Sequence, residues 1–331
     1  MEQLTQKEIV HQISQLKIVV IGDLMLDEYI YGHVDRISPE APVPILKINK
    51  KTSRLGGAAN VALNCKAMGA NVSIAGLVGN DDAGARLRNM LQEHEINTDL
   101  LVFSEERRTT VKSRIISRNQ QMMRVDEETI MPLTVKEEHP FLDAILKHLQ
   151  IQKPDLLIFE DYNKGVLKEN IIKRVMEHCK NVGIITAVDP KFENFLMYKE
   201  VDIFKPNLKE VQNGLKLNNI EINIEALQQV HLQLKKELSH KVSLVTLSEH
   251  GMYYCDENVE GLIPTEVRNL ADVSGAGDTV IAVAAMVYAV TKNVATMAYW
   301  SNIAGGLVCE MAGVVPINKE KLINILNSKN K

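Results

Sequence analysis

The run Lys17-Ile18-Val19-Val20-Ile21-Gly22 decides the fold class. Four consecutive β-branched residues with no polar alternation suit a strand buried on both faces, as in a parallel sheet. Gly22 and Asp23 close it. The pattern recurs downstream, at residues 72–78, 155–159, 183–188, 201–204 and 242–247. Helical periodicity fills most of the gaps. Residues 56–68 are Ala-rich and stop at Gly69, and residues 81–94 start on acidic side chains. Residues 167–179, 208–215 and 224–238 follow, and the last third reads as three helices over 275–290, 294–311 and 319–326. Strand and helix in alternation imply an α/β protein with a mostly parallel sheet covered on both faces.

Two stretches break the rhythm. Residues 29–48 carry Pro39, Pro42 and Pro44, and residues 109–125 are rich in β-branched side chains with polar ones between them. Neither has a helical period. Both read as strands of a small accessory sheet over one edge of the main unit, with lid segments near 28–50 and 107–127; plain surface hairpins are the alternative.

With 331 residues, one large α/β unit or two smaller domains both fit. The chain is 45% apolar and 24% charged, the balance of a globular protein. Lys plus Arg is 38 against 42 Asp plus Glu, a net charge of −4 that does not mark a general nucleic-acid binder. A local basic pocket is compatible with that balance. Cys65, Cys179, Cys255 and Cys309 form no CxxC pair and are spaced too widely for a metal knuckle, so they read as buried reduced thiols of a cytoplasmic protein. The first seven residues lack the basic start and apolar run of a signal peptide. The longest apolar run, 280–290, is about half of the roughly 20 residues that span a bilayer. A cytoplasmic location with no membrane partner is expected.

Chemistry concentrates in Asp272-Val273-Ser274-Gly275-Ala276-Gly277-Asp278-Thr279-Val280. Two glycines precede a long apolar helix, where exposed backbone N–H groups and the helix dipole favour an anion. Asp278 sits in the first turn, and a carboxylate there repels a phosphate unless it has a task. General base fits: it accepts the proton of a hydroxyl that attacks phosphorus. The glycine amides then hold the charge on the transferring group. An ordinary acidic first-turn residue is the competing reading. No Gly-Lys dipeptide occurs, so there is no Walker loop. Gly275 and Gly277 form the only GxG, Val280 rules out a dinucleotide fingerprint, and no GxSxG elbow exists.

Residues 272–278 resemble the DTxGAGD motif of the ribokinase/PfkB sugar kinases, with Val273 and Ser274 as departures. Gly56-Gly57-Ala58-Ala59-Asn60 resembles that family's double-glycine sugar motif, Asn207-Leu208-Lys209-Glu210 its NxxE motif, and Gly22-Asp23-Leu24-Met25-Leu26-Asp27 its first strand with a sugar-binding aspartate. The segments 38–44, 117–121, 161–165, 188–191 and 275–280 are similar to those of the D-glycero-β-D-manno-heptose-7-phosphate kinases. The resemblance covers most of the chain. It implies one ribokinase-like kinase domain over residues 1–331, a three-layer α/β/α unit with a mostly parallel sheet and a β lid. No HxGH nucleotidyl-transfer motif is present, so no nucleotidyltransferase domain is expected.

The same resemblance implies roles. Asp278 is the base on the anomeric hydroxyl, and Gly275, Ala276 and Gly277 form the anion hole. Asn207 and Glu210 lie near the phosphates of ATP and Mg2+, with Glu210 holding the metal through water. Thr246, Ser248 and Gly251 match a nucleotide-side loop, or else a plain turn. Asn302 lies near adenine, or is a structural helix residue. Asp23, Asp27, Gly56, Gly57 and Asn60 meet sugar hydroxyls. Asp161 and Asp189 end strands, where open α/β sheets place ligands, with a carboxyl-end turn as the alternative. A phosphorylated acceptor needs cations, and Arg118, Lys164 and Lys191 are the candidates, each equally readable as a solvated charge. The implied reaction is ATP-dependent phosphorylation of heptose 7-phosphate at C1 to the 1,7-bisphosphate, on the ADP-heptose route to lipopolysaccharide core. The implied cofactors are ATP and Mg2+, with a monovalent cation left open. The expected partners are a sugar phosphate and a second copy paired through the lid. A kinase of another sugar, or a non-catalytic sugar-binding or partner protein, are the rival readings.

Overall fold

The buried run at Lys17 is the second element of a computed structural model that describes residues 4–118, 120–266 and 270–329, with the side chain of Lys329 excepted. Met1, Glu2 and Gln3 of the amino-terminal stretch and Asn119 of the 117–121 motif lie outside the described residues. In chain order the elements are α1 (Gln6–Ile13), β1 (Lys17–Gly22), β2 (Leu24–Ile37), β3 (Pro44–Gly57), α2 (Ala58–Ala67), β4 (Asn71–Gly79), α3 (Asp82–Glu93), β5 (Asn97–Ser104), β6 (Thr110–Ser117), β7 (Gln120–Glu127), α4 (Val135–Gln152), β8 (Leu156–Glu160) and α5 (Glu169–Val182). Then come β9 (Ile185–Asp189), β10 (Ile203–Phe204), α6 (Leu208–Leu215), α7 (Ile224–Leu238), β11 (Val242–Thr246), β12 (Met252–Cys255), β13 (Glu260–Ile263), α8 (Ala276–Thr291), α9 (Val294–Val308) and α10 (Lys319–Lys329).

Nine strands form the main sheet in the order β13-β12-β11-β10-β9-β8-β1-β4-β5. From β11 to β5 every pairing is parallel, and only β12 is reversed, antiparallel to both of its neighbours β11 and β13. Alternation along β1 explains its all-apolar sequence. Ile18 and Val20 enter one core with α1, α2, α8 and α9, whereas Val19 and Ile21 enter a second core with α4, α5 and α7. Burial of both faces is why the strand shows no polar period. The run 280–290 lies within α8, whose residues from Val280 to Val287 are buried in the first core. Among the described residues, no helix is long and apolar enough to cross a membrane. All four cysteines are buried and free.

The lid is a four-stranded sheet in the order β3-β2-β6-β7. Its outer pairs are antiparallel and its central pair, β2 with β6, is parallel. It grows directly out of the main sheet. Gly22 and Asp23 do not end in a turn; the chain continues at Leu24 into a strand of 14 residues. At the other end of the hairpin, Gly57 turns β3 into α2 with φ +57°, and a side chain there would stand 2.5 Å from the carbonyl oxygen of Asp23. Only glycine takes that left-handed conformation beside a backbone so close. The double glycine therefore ties the lid's root to the carboxyl end of β1.

Candidate active site

Four strands deliver charge to one place. Asp23 follows β1, Glu160 ends β8, Asp189 ends β9 and Lys205 follows β10. All are carboxyl ends of parallel strands, which is where open α/β sheets place their ligands. Helix α8 points its first turn at the same place from above.

Gly275 caps α8 with φ +78°, and a side chain on it would meet Asn60 Nδ2 at 2.8 Å. The residue before the helix must therefore be glycine, and the backbone there stays open to a ligand. Asp278 follows within the first turn and is buried. Its Oδ2 accepts from Asn60 Nδ2 at 2.8 Å and its Oδ1 from the Tyr162 hydroxyl at 2.9 Å. Asn60 is fixed in turn by Asn64, which also holds Thr279 of α8. Burial is the main force on Asp278, and with Asp189 nearby it outweighs the two hydrogen bonds and Lys205, raising the carboxyl to about 6. A carboxylate held at that value is charged at neutral pH yet basic enough to share a hydroxyl proton.

Beside the start of α8 lies a buried charge cluster. A side chain on Gly277 would reach to 3.5 Å from Asp189 Oδ2 and 3.8 Å from Lys205 Nζ, so both groups flank the opening. Lys205 Nζ pairs with Asp189 Oδ2 at 2.8 Å, and Lys191 pairs with Glu210. Burial opposes the charge on Lys191, but Asp189 and Glu210 raise its pKa. Glu160 is wholly buried, and burial with the charges of Asp189 and Asp278 raises its pKa well above the usual range.

Asn207 and Glu210 form the two ends of a capping box at the start of α6. Glu210 N donates to Asn207 Oδ1 at 2.9 Å, and Asn207 N donates to Glu210 Oε2 at 2.8 Å. A bridge joins Asn207 to Thr246 at the end of β11. The chain then makes a 3-10 turn over Ser248–His250 and reverses at Gly251. Asn302 of α9 reaches the same region, its Nδ2 donating to Pro264 O at 3.0 Å, next to where a side chain on Gly251 would abut. The structure thus gathers Asn207, Glu210, Thr246, Ser248, Gly251 and Asn302 along one side of the sheet's carboxyl edge.

On the opposite side, several expected sugar contacts serve the scaffold. Asp23 is buried and accepts from the backbone N–H of Tyr162 at 2.8 Å and of Lys164 at 3.0 Å. Burial and then the Asp161 charge raise its pKa to about 6. Asp161 turns away from the cleft, accepting from the Tyr198 hydroxyl at 2.7 Å and Asn194 Nδ2 at 2.9 Å. Its carboxyl-end-turn reading is the one its contacts match. Asp27 is paired with Arg114, and Gly56 leaves room for that carboxylate.

The cations fall differently from the expectation. Lys164 pairs with Glu128 at 2.7 Å, and Lys191 lies 5.2 Å from the centre of the Tyr162 ring. Arg118 is not brought to the cleft. It is exposed, with φ +49°, in the turn between β6 and β7 beyond the Gly32–Ser117 pair. It stands six positions along the chain from Lys112, roughly 20 Å at about 3.3 Å per step. The lysine of β6 that lies near the site is Lys112. It is half-buried, 5.5 Å from the Tyr162 ring centre, and makes no ion pair with any described residue. Burial first, and then the Lys164 charge, lower its pKa. Reading the sequence missed Lys112, Lys205, Tyr162 and Glu160. Signals existed for Tyr162, which lies within the 161–165 segment, and for Lys205, a lysine directly after a buried strand and two residues before the Asn207 motif.

The comparisons agree with this geometry. Residues 15–321 match the model of the pfkB family carbohydrate kinases. The bifunctional protein HldE of Sulfurimonas denitrificans is 37% identical over 302 residues, covering 91% of this chain and 62% of that protein. That of Campylobacter curvus is 36% identical over 318 residues, covering 96% of this chain and 66% of its own. The chain thus spans just under two thirds of the length of these relatives. Among solved structures, phosphofructokinase-2 from Escherichia coli in complex with potassium superposes with a TM-score of 0.78 at 16% identity, over 96% of this chain and all of that one. Ribokinase from Arabidopsis thaliana complexed with ribose and ATP gives 0.72 at 16% identity, over 94% and 99%. These structures share the ribokinase-like fold, and the chain belongs to the pfkB family of carbohydrate kinases, phosphotransferases that act on a sugar alcohol group.

Proposed function

We propose that this kinase transfers the γ-phosphoryl group of ATP to the C1 hydroxyl of a phosphorylated sugar, D-glycero-β-D-manno-heptose 7-phosphate. The product is the 1,7-bisphosphate, which feeds ADP-heptose synthesis for lipopolysaccharide core in the cytoplasm. Asp278 takes the hydroxyl proton as the new O–P bond forms. Asn60 and Tyr162 hold its carboxylate in place, and both hydrogen bonds persist on either side of the transfer. The amides of Gly275, Ala276 and Gly277, with Lys205 beside them, offset charge on the transferring group. The orphaned carboxylate oxygens and buried carboxylates near that opening fit Mg2+, which when bound neutralises phosphate charge.

A single observation carries the choice of a phosphorylated acceptor. Lys112, which makes no ion pair with any described residue, stands 5.5 Å from the centre of the Tyr162 ring, whose hydroxyl touches Asp278, and lies within the electrostatic reach of Lys164. One aromatic ring therefore separates the base from Lys112, with Lys164 near that lysine. That spacing suits an acceptor with a hydroxyl at one end and a dianion at the other. A buried phosphate needs such partners, because unpaired burial of charge is costly. Exposed apolar side chains on both outer lid strands, Ile48 of β3 with Met123 and Val125 of β7, support a homodimer paired through the lid.

The test is ADP release across a panel of sugars and sugar phosphates. Heptose 7-phosphate should give the highest kcat/KM, with the unphosphorylated heptose at least about tenfold lower. Equal turnover of the two acceptors would refute the phosphate subsite, and turnover of neither would refute the heptose.

A further inference from the structure

We propose that Glu160, together with Asp189, is the place where the divalent cation of the nucleotide meets the protein. The inference rests on the kinase reading above and adds the protein's own ligands for the metal.

Glu160 and Asp189 are the last residues of β8 and β9 and stand opposite each other in register. Glu160 has no exposed surface, and neither of its carboxyl oxygens has a hydrogen-bond partner. Asp189 Oδ1 likewise accepts no hydrogen bond, with Lys191 Nζ 3.9 Å away as an ion-pair partner, while its Oδ2 holds Lys205. Three acceptor oxygens on adjacent strands thus accept no hydrogen bond, and the two of Glu160 have no ion pair with any described residue either, in a protein interior where nearly all polar atoms find a partner. Strand alternation separates Glu160 from its neighbour. Asp161 turns to Tyr198 and Asn194, whereas Glu160 lies within the electrostatic reach of Asp189, Asp278, Lys191 and Lys205.

The place is right for an ion that arrives with phosphate. Asp189 borders the anion hole at Gly277. Among the described residues, no group of three or more His, Cys, Asp and Glu side chains is arranged to hold a metal. A complete protein cage is not required, since Mg2+ is commonly held by one or two carboxylates, water and substrate phosphates. Glu210, the residue that the NxxE motif points to, is the poorer candidate here. Its Oε2 caps α6 through Asn207 N and its Oε1 pairs with Lys191, so metal binding there breaks a helix cap and an ion pair. Glu160 breaks nothing.

The experiment measures Mn2+ binding by the loss of its free electron paramagnetic resonance signal. The protein is saturated with a non-hydrolysable ATP analogue, so no turnover is involved. Glu160→Gln removes the charge at constant shape. It should weaken Mn2+ at least about tenfold while the melting temperature stays at or above wild type. Glu210→Gln should lower the melting temperature and change Mn2+ affinity by less than about threefold. If Glu160→Gln binds Mn2+ like wild type, or Glu210→Gln alone weakens it, the assignment is wrong. Asp189→Asn applies the same criterion should Glu160→Gln fail to fold. Wild-type protein that binds no nucleotide at all would sink the kinase reading instead, so the two failures are told apart.

Discussion

The carboxyl edge of the main sheet and the lid above it treat charge in opposite ways. At the edge, Asp278, Asp189, Glu160 and Lys205 are buried, and each must be matched or cost stability. In the lid, all eight residues of β7 are exposed, and water solvates a lone arginine at little cost. An unmatched charge is therefore informative in the first region and nearly silent in the second. Arg118 shows the second case, and Glu160 the first. Lys112 sits at the seam, on a lid strand but against Tyr162 of the main domain, and so it inherits the strict rule.

The largest effect should come from the buried edge. Asp278→Asn should lower kcat by about 10² to 10⁴ with nucleotide affinity nearly unchanged, as expected when a general base is removed. Wild-type kcat/KM should fall below about pH 6, where the Asp278 carboxyl takes up a proton; steady-state kinetics over pH 5 to 8 and a nucleotide titration check both statements. A variant that turns over at the wild-type rate would remove Asp278 from the chemistry.

At the seam, Lys112→Ala and Lys164→Ala should each raise the KM for the phosphorylated acceptor by about ten- to a hundredfold. Charge-assisted bonds are worth roughly 1.5–3 kcal/mol, and about 1.4 kcal/mol is a decade. The KM for ATP should hardly move, nor should that for an unphosphorylated heptose. An equal rise for both acceptors would mean that the lysines shape the cleft without reading phosphate.

The strict rule also predicts a stability effect. Asp278 is raised from 3.8 to about 6 in the folded protein, so its charged form is penalised by folding. That penalty is present above pH 6 and disappears as pH falls from 6 to 4. Asp278→Asn should therefore be more stable than wild type at pH 7.5, by on the order of 1–3 kcal/mol, with the advantage shrinking at pH 5. Urea unfolding at the two pH values measures it. An advantage that grows on acidification would contradict the sign.

The smallest effect belongs to the lid tip. Arg118→Ala should leave the KM for the phosphorylated acceptor within about twofold of wild type. A tenfold rise would return Arg118 to the phosphate subsite and break the distinction between the two regions.

The same contrast explains what the sequence could show. Parallel strands such as β1 are buried on both faces, and their unbroken Ile/Val runs are hard to misread. The motifs at 56–60, 207–210 and 272–278 each mark a backbone requirement, such as the glycine at 275 or the capping box of α6, and those requirements are local. Contacts between distant segments are not local. Nothing near residue 160 announces that its carboxylate has no partner, since that depends on β9 and α8. Nothing near residue 161 shows that its carboxylate turns to Tyr198. Helix α4 was hidden by Pro140 within it, whereas β2 and β3 were legible as accessory strands but not in their full length, which exposed charges and register shifts obscure.

The central claim is that Asp278 drives phosphoryl transfer to C1 of a phosphorylated heptose. Phosphorus nuclear magnetic resonance of the wild-type protein with ATP, Mg2+ and heptose 7-phosphate tests it directly. The account predicts a new signal from a phosphate on C1 coupled to the anomeric proton, growing one for one with ADP and absent over the same time with Asp278→Asn. ATP consumed with no C1 phosphate, or the same signal at the same rate from the variant, would contradict it.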